Sequence, residues 1–281
     1  MGDLPWLDAG VVGILGLLVG SFLNVVIYRL PKMLERQWAS ESAALADQPL
    51  QTQEPFNLMV PRSRCGSCGH EIRWFENIPL FSYLFLRGKC SACGTGIGLR
   101  YPLVELTTGV LFTFCATRWG LTETTAIWCV FCAAMVALAC IDWDTTLLPD
   151  DITLPLLWLG LISSALRWNA SVTLSDALWG AVAGYMSLWV VYWVFKLITG
   201  KEGMGYGDFK LFAALGVWFG WQALVPIILM SSIIGALVGI TLKFTSGLRD
   251  GGYIPFGPFL VGAALTALAF GPQSILRMVG L

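Results

Sequence analysis

Two short stretches place residues able to move protons beside segments that should avoid charge. The first, Gly203-Met-Gly-Tyr-Gly-Asp208-Phe-Lys210, lies between the apolar runs 178–198 and 209–242, whose only charges are Lys196 and Lys210. A carboxylate at the mouth of a membrane helix is costly to desolvate and marks a candidate functional site. Gly205 and Gly207 are expected to give the backbone conformations closed to other residues, so that an extended substrate strand can approach closely. The second stretch closes another apolar run with Asp142-Trp-Asp144-Thr-Thr-Leu-Leu-Pro-Asp150-Asp151. Two carboxylates brought together do not both ionise easily, so one holds a proton near neutral pH. Such a pair offers a base to activate water and an acid to protonate a leaving amine. The residues alone leave other readings open. Asp142, Asp144, Asp150 and Asp151 could be interfacial charges, with Asp150 or Asp151 as the N-cap of the following helix and Asp144 facing water. Asp142 and Asp208 could equally be the relay carboxylates of a proton-coupled transporter, although transporters keep such groups near the midplane on broken helices.

The second chemistry is thiolate chemistry. Cys65-Gly-Ser-Cys68 and Cys90-Ser-Ala-Cys93, separated by 21 residues, supply four thiolates at the spacing of a tetrahedral site, with zinc as the default metal. Gly66, Gly69 and Gly94 suit the tight turns of the two knuckles. Four Cys ligands leave no open position for a catalytic water, so the metal is read as structural. Two disulfides are the competing reading, disfavoured in a reducing compartment. His70, the single histidine, is expected at the surface or beside the metal site. His70-Glu71 lacks the second histidine of a zinc-protease helix, and no histidine lies in an apolar run to serve a serine nucleophile. Cys129-Val-Phe-Cys132 lies inside an apolar run and is read as buried small hydrophobes.

These groups need a membrane scaffold to position them. Of 281 residues 56% are hydrophobic and 12% charged, the mean hydropathy is +0.71, and the 13 Trp and 31 Gly fit interfacial belts and close helix packing. A net charge of −1 argues against nucleic acid as a partner. The expected fold is an all-α polytopic membrane protein in the lipid bilayer. About eight transmembrane helices are expected, near 9–28, 103–118, 123–141, 153–168, 177–198, 209–221, 224–243 and 256–276. The first run lacks a basic leader region and continues as a full span, so it is not read as a cleaved signal. With both termini outside, all Lys and Arg except Arg118, Arg167 and Arg277 fall on the cytoplasmic side, out of 17 in all. Asp142 and Asp208 then share that face. Between the first and second spans lies a polar insert, 29–101, with an Ala-, Ser- and Gln-rich excursion at 37–57 expected to be mobile or weakly helical.

On these residues the chain resembles the bacterial type IV prepilin peptidases. The resemblance covers nearly the whole length. It rests on Gly20-Ser-Phe-Leu-Asn-Val-Val-Ile-Tyr-Arg-Leu-Pro31, the tetracysteine insert with Glu76-Asn-Ile-Pro79, Tyr101-Pro-Leu-Val-Glu105, Asp142 with Pro149-Asp150, and Gly205-Tyr-Gly-Asp208-Phe-Lys210. It implies a bifunctional enzyme. Such an enzyme cleaves the short basic leader of type IV prepilins and type II secretion pseudopilins after Gly at the cytoplasmic face. It then methylates the new N-terminal amine, usually of Phe, with S-adenosylmethionine. By this likeness Asp142 and Asp208 are catalytic, Gly205, Gly207 and Lys210 belong to the active-site loop, and Cys65, Cys68, Cys90 and Cys93 bind zinc. The division becomes a first helix at 1–28, a methyltransferase-associated insert at 29–101 and an aspartic peptidase region at 102–281, in the bacterial inner membrane with periplasmic termini. A leader peptidase without methyl transfer is the alternative. Glu71, Glu76 and Glu105 are candidates to assist amine deprotonation, with surface or structural roles competing. No methyl-donor pocket, pilin identity or oligomeric state is assigned.

Overall fold

The computed structural model describes residues 5–47, 54–245 and 254–278, and divides into two compact units, 1–137 and 138–281. Among the described residues there is no β-strand. Each of the eight expected apolar runs becomes helical. Four helices are long and apolar enough to cross a membrane on their own: Trp6–Leu45, Glu123–Thr145, Leu174–Thr199 and Trp221–Phe244.

In the first unit α1 (Pro5–Leu45) is one helix of 41 residues. At 1.5 Å per residue it runs about 60 Å, twice the hydrocarbon thickness. The helix therefore runs on past the span expected at 9–28 and into the 37–57 stretch, whose expected mobility gives way to helix as far as Leu45. Residues 37–45 are helix, built from good helix formers and an i,i+4 contact of Gln37 Nε2 with Glu41 Oε1 at 2.8 Å. Positions 48–53 of that excursion lie outside the described residues. Within the insert lies a short helix, α2 (Phe81–Phe85), and at its end begins α3 (Arg100–Trp119). Glycines of α1 let α3 approach closely. A methyl group at Gly16 would stand 2.7 Å from Phe112 Cβ, and one at Gly20 2.7 Å from Glu105 Cα. Cys115, Cys129 and Cys132 are buried, as expected for the apolar Cys pair.

The division between the units falls within α4 (Glu123–Thr145). The second unit contains its end, followed by α5 (Asp150–Ala165), α6 (Leu174–Thr199), α7 (Tyr206–Phe219), α8 (Leu224–Phe244), α9 (Gly257–Phe270) and α10 (Pro272–Met278). The single span expected at 256–276 is thus two helices, because Gly271 takes φ 83° and Pro272 cannot continue α9. The core of this unit is α7, which is buried along nearly its whole length. On one side Gly180 and Gly184 of α6 meet Gly216 and Phe212 of α7 backbone to backbone, with no room for a side chain between. On the other, Trp218 Nε1 donates to Leu156 O of α5 at 3.0 Å, and Gly160 makes room for that ring. Asn169 Nδ2 donates to Trp218 O at 3.0 Å, satisfying a carbonyl at the end of the buried helix.

Candidate functional site

Asp142 occupies the last turn of α4. The helix is stopped by Thr146, whose φ is 56°, after its amide has bonded Asp142 O at 2.9 Å. Residues 147 and 148 then lead to Pro149, the N-cap residue of α5. Asp208 is the third residue of α7, within its first turn, and its amide bonds Gly205 O at 3.2 Å. Both carboxylates are buried, at 4% and 8% exposure, and Leu148 joins their surroundings, lying against Gly207, the neighbour of Asp208, and against Gly257, whose amide bonds Asp142. The two expected aspartates are thus brought together at one end of the second unit. Each sits within a turn of a helix terminus rather than at mid-helix.

The glycines around them act by space, not by unusual dihedrals, which corrects the expectation for Gly205 and Gly207. Neither takes a positive φ. A methyl group at Gly207 would come 2.7 Å from Leu148 Cβ, so glycine is needed for the close approach of 147–149 to α7. A methyl group at Gly205 would meet nothing nearer than Asp208 Oδ2 at 3.8 Å, leaving open space before that carboxylate. Lys210 is not turned to the aspartate pair. It holds Asp150, its Nζ lying 2.8 Å from Oδ1 and 2.7 Å from Oδ2. Asp150 is accordingly the first helical residue of α5 and an ion-pair partner, not the N-cap; Asp144 is exposed, as expected.

One contact was not legible in the sequence. The backbone N–H of Gly257, opening α9, donates to Asp142 Oδ2 at 2.9 Å across 115 positions of chain. Leu148 bridges the same place, its side chain touching the free faces of both Gly207 and Gly257. Pro255-Phe256-Gly257-Pro258 marks a helix start but nothing in it names a partner so distant.

In the first unit the four cysteines converge. Their sulfurs all lie within 4.8 Å of one another, with Cys65–Cys93 at 3.8 Å and Cys68–Cys90 at 4.0 Å, and none forms a disulfide. A tetrahedral ion with metal–sulfur bonds of about 2.3 Å needs sulfurs about 3.8 Å apart, so the donor set fits. The two knuckles repeat one pattern. Cys65 N bonds His70 O at 2.8 Å and Gly69 N bonds Cys65 O at 2.9 Å; Cys90 N bonds Thr95 O at 2.8 Å and Gly94 N bonds Cys90 O at 2.9 Å. Gly69 and Gly94 take φ 73° and 72°, whereas Gly66 does not need glycine's freedom. Thr95 draws Cys93 down to about 6, while Cys68, despite the His70 amide, is pushed up to about 11 by Cys93 and its other thiol neighbours. Four thiolates this close repel, and a dication removes that repulsion.

His70 is neither bare surface nor a metal ligand. Half-buried, its Nε2 lies 3.2 Å from Glu76 Oε2 and 3.3 Å from Ser91 Oγ, tying the first knuckle to the second. Glu76 is held down to about 2 by the Arg73 amide, with Ser91 and His70 adding to the effect. Glu105, buried in α3, accepts from Leu80 N at 2.9 Å, and Glu71 pairs with Arg64 at 2.8 Å. All three glutamates have structural partners.

Comparison with known proteins agrees on one group. The description of a bacterial peptidase A24 N-terminal domain matches residues 14–119, and that of the type IV leader peptidase family matches 129–240. A protein named prepilin leader peptidase/N-methyltransferase from Pseudomonas aeruginosa is 54% identical over 261 residues, covering 92% of this chain and 89% of its own. Proteins of the same name from Aeromonas hydrophila and Burkholderia pseudomallei are 50% and 45% identical, covering 98% and 95% of this chain and 94% and 87% of theirs. No solved structure matches the chain.

Proposed function

The chain belongs to the type IV leader peptidase family, and from that premise we propose that it processes type IV prepilins and pseudopilins in two steps. It cleaves the basic leader after Gly, then methylates the exposed N-terminal residue with S-adenosylmethionine. The observation that carries the first step is the burial of Asp142 and Asp208 together at helix termini. One aspartate, ionised, removes a proton from a water that attacks the glycyl carbonyl carbon. The other, protonated, donates a hydrogen bond to the developing oxyanion. As the carbonyl re-forms, the peptide C–N bond breaks and a proton passes to the leaving amine. A substrate whose basic leader stays in the cytoplasm while its apolar helix enters the bilayer presents its scissile bond at the interface. The lysine and arginine distribution supports these helix ends lying at that interface, in a bacterial inner membrane with both termini periplasmic.

Cys65, Cys68, Cys90 and Cys93 are the proposed zinc ligands. With all four positions taken by sulfur, a bound ion would supply folding energy rather than a reactive water. Lys210 and Asp150 brace α7 against α5, while Gly207 admits Leu148 and Gly205 leaves access to Asp208. The region 1–28 serves as the first membrane span, 29–101, which opens on the continuation of α1, as the methyltransfer-associated insert, and 102–281 as the peptidase region. The names borne by its relatives favour both activities over cleavage alone. Product mass tests the reading: a prepilin incubated with the purified protein and S-adenosylmethionine should lose its leader and gain one methyl group. An uncleaved substrate would contradict the peptidase, and a cleaved but unmethylated product would contradict the methyltransferase.

A further inference from the structure

The carboxylate of Asp142 is approached by a third chain segment that the aspartate motifs do not include. Gly257 is the first residue of α9, a helix of 14 residues, and its amide is one of the N-terminal donors that no helical carbonyl can satisfy. That amide points at Asp142 Oδ2, 2.9 Å away in a buried environment. The fit is tight on both sides. A methyl group at position 257 would lie 2.6 Å from Asp142 Oδ2 and 3.3 Å from Leu148 Cδ2. Elsewhere on the same helix a methyl group at Gly262 meets nothing within 4 Å. Glycine at 257 therefore does two things at once: it presents a donor and leaves the carboxylate room to accept it.

We propose that Gly257 is a positioning residue for peptide cleavage, its backbone amide fixing the rotamer of Asp142 and stabilising that group's ionised form. This rests on the assignment of Asp142 and Asp208 as the catalytic pair. A hydrogen bond from a backbone amide costs no reorganisation when the reaction proceeds, and misplacing a reacting group by about 1 Å can cost about 100-fold in rate. The residue acts through Asp142 and needs no contact with substrate.

The test compares wild type, Gly257→Ala, Gly262→Ala and Asp142→Asn on a prepilin peptide, recording kcat, KM and the pH dependence of cleavage. Gly257→Ala should lower kcat about 10- to 100-fold with KM little changed, and should move one limb of the pH profile to higher pH. The acid limb moves if Asp142 is the ionised partner, the basic limb if Asp208 is. Gly262→Ala should match wild type. A Gly257→Ala enzyme with wild-type kcat and a superimposable pH profile, beside an inactive Asp142→Asn, would overturn the inference alone. A fully active Asp142→Asn would overturn the catalytic assignment itself. Should Gly257→Ala fail to fold, a second measurement needs no variant of that residue. Labelling phenylalanine with ¹³C at the carbonyl and glycine with ¹⁵N selects the amides of Gly220, Gly257 and Gly271, the three that follow Phe. One of the three should lie downfield and move in Asp142→Asn; three unmoved amides would refute the contact.

Discussion

Burying two carboxylates at the ends of apolar helices opposes folding, and the local structure shows how the opposition is met. Asp142 receives the Gly257 amide, and Asp208 lies in the first turn of α7, where a negative charge is favoured by the helix dipole. The Lys210–Asp150 pair beside them is a different kind of contact. It is half exposed, so Lys210→Met should lower stability by no more than about 1 kcal/mol, read as a small change in melting temperature in detergent. In the insert, Glu76 has its pKa lowered from 4.5 to about 2, first by the Arg73 amide. A carboxylate whose folded pKa is depressed adds stability that is present above about pH 4.5 and is lost as pH falls toward 2. Glu76→Gln should therefore make the insert more sensitive to limited proteolysis at pH 6, and the difference from wild type should vanish near pH 2. An equal difference at both values would mean that its charge contributes nothing. The aspartates and the cysteines could be read from residue type and spacing because each motif is local. Gly257 could not, since a backbone donor is the same in every residue and only the packing of α9 gives it a target.

At the scale of elements, the close contact of α6 with α7 is the most demanding feature. A methyl group on Gly216 would collide with the backbone of Gly180, and the helices would have to separate. Gly216→Ala should destabilise the protein by about 1–3 kcal/mol, whereas Gly262→Ala, facing open space, should change the melting temperature little. Equal melting temperatures for the two variants would show that the α6–α7 contact is not tight. Hydrophobic run length located all eight apolar segments, because the bilayer imposes length and polarity together. It missed the continuation of α1 to Leu45, since Met33, Leu34 and Trp38 there are scattered among charged and polar residues and form no apolar run, while the helicity comes from propensity. It also passed over the break at Gly271-Pro272, where two residues that stop helices were outweighed by the apolar character around them.

For the whole molecule, the first unit carries the thiolate site and the second carries the aspartate pair, so the two proposed activities should be separable. Chelation of the metal, or Cys65→Ser, should remove one zinc per chain and abolish methylation of a precleaved pilin. Zinc content by mass spectrometry and product mass by the same method report the two effects. Retention of full zinc by Cys65→Ser would contradict the ligand assignment. The account depends most on the aspartates acting as one unit. General acid–base groups contribute about 100- to 10,000-fold each. The decisive measurement is the rate of prepilin cleavage by Asp142→Asn and by Asp208→Asn, each beside wild type and each checked for folding by its zinc content. Both rates should fall by at least about 100-fold while the zinc stays bound. Cleavage at the wild-type rate by either variant would show that the pair does not perform the reaction.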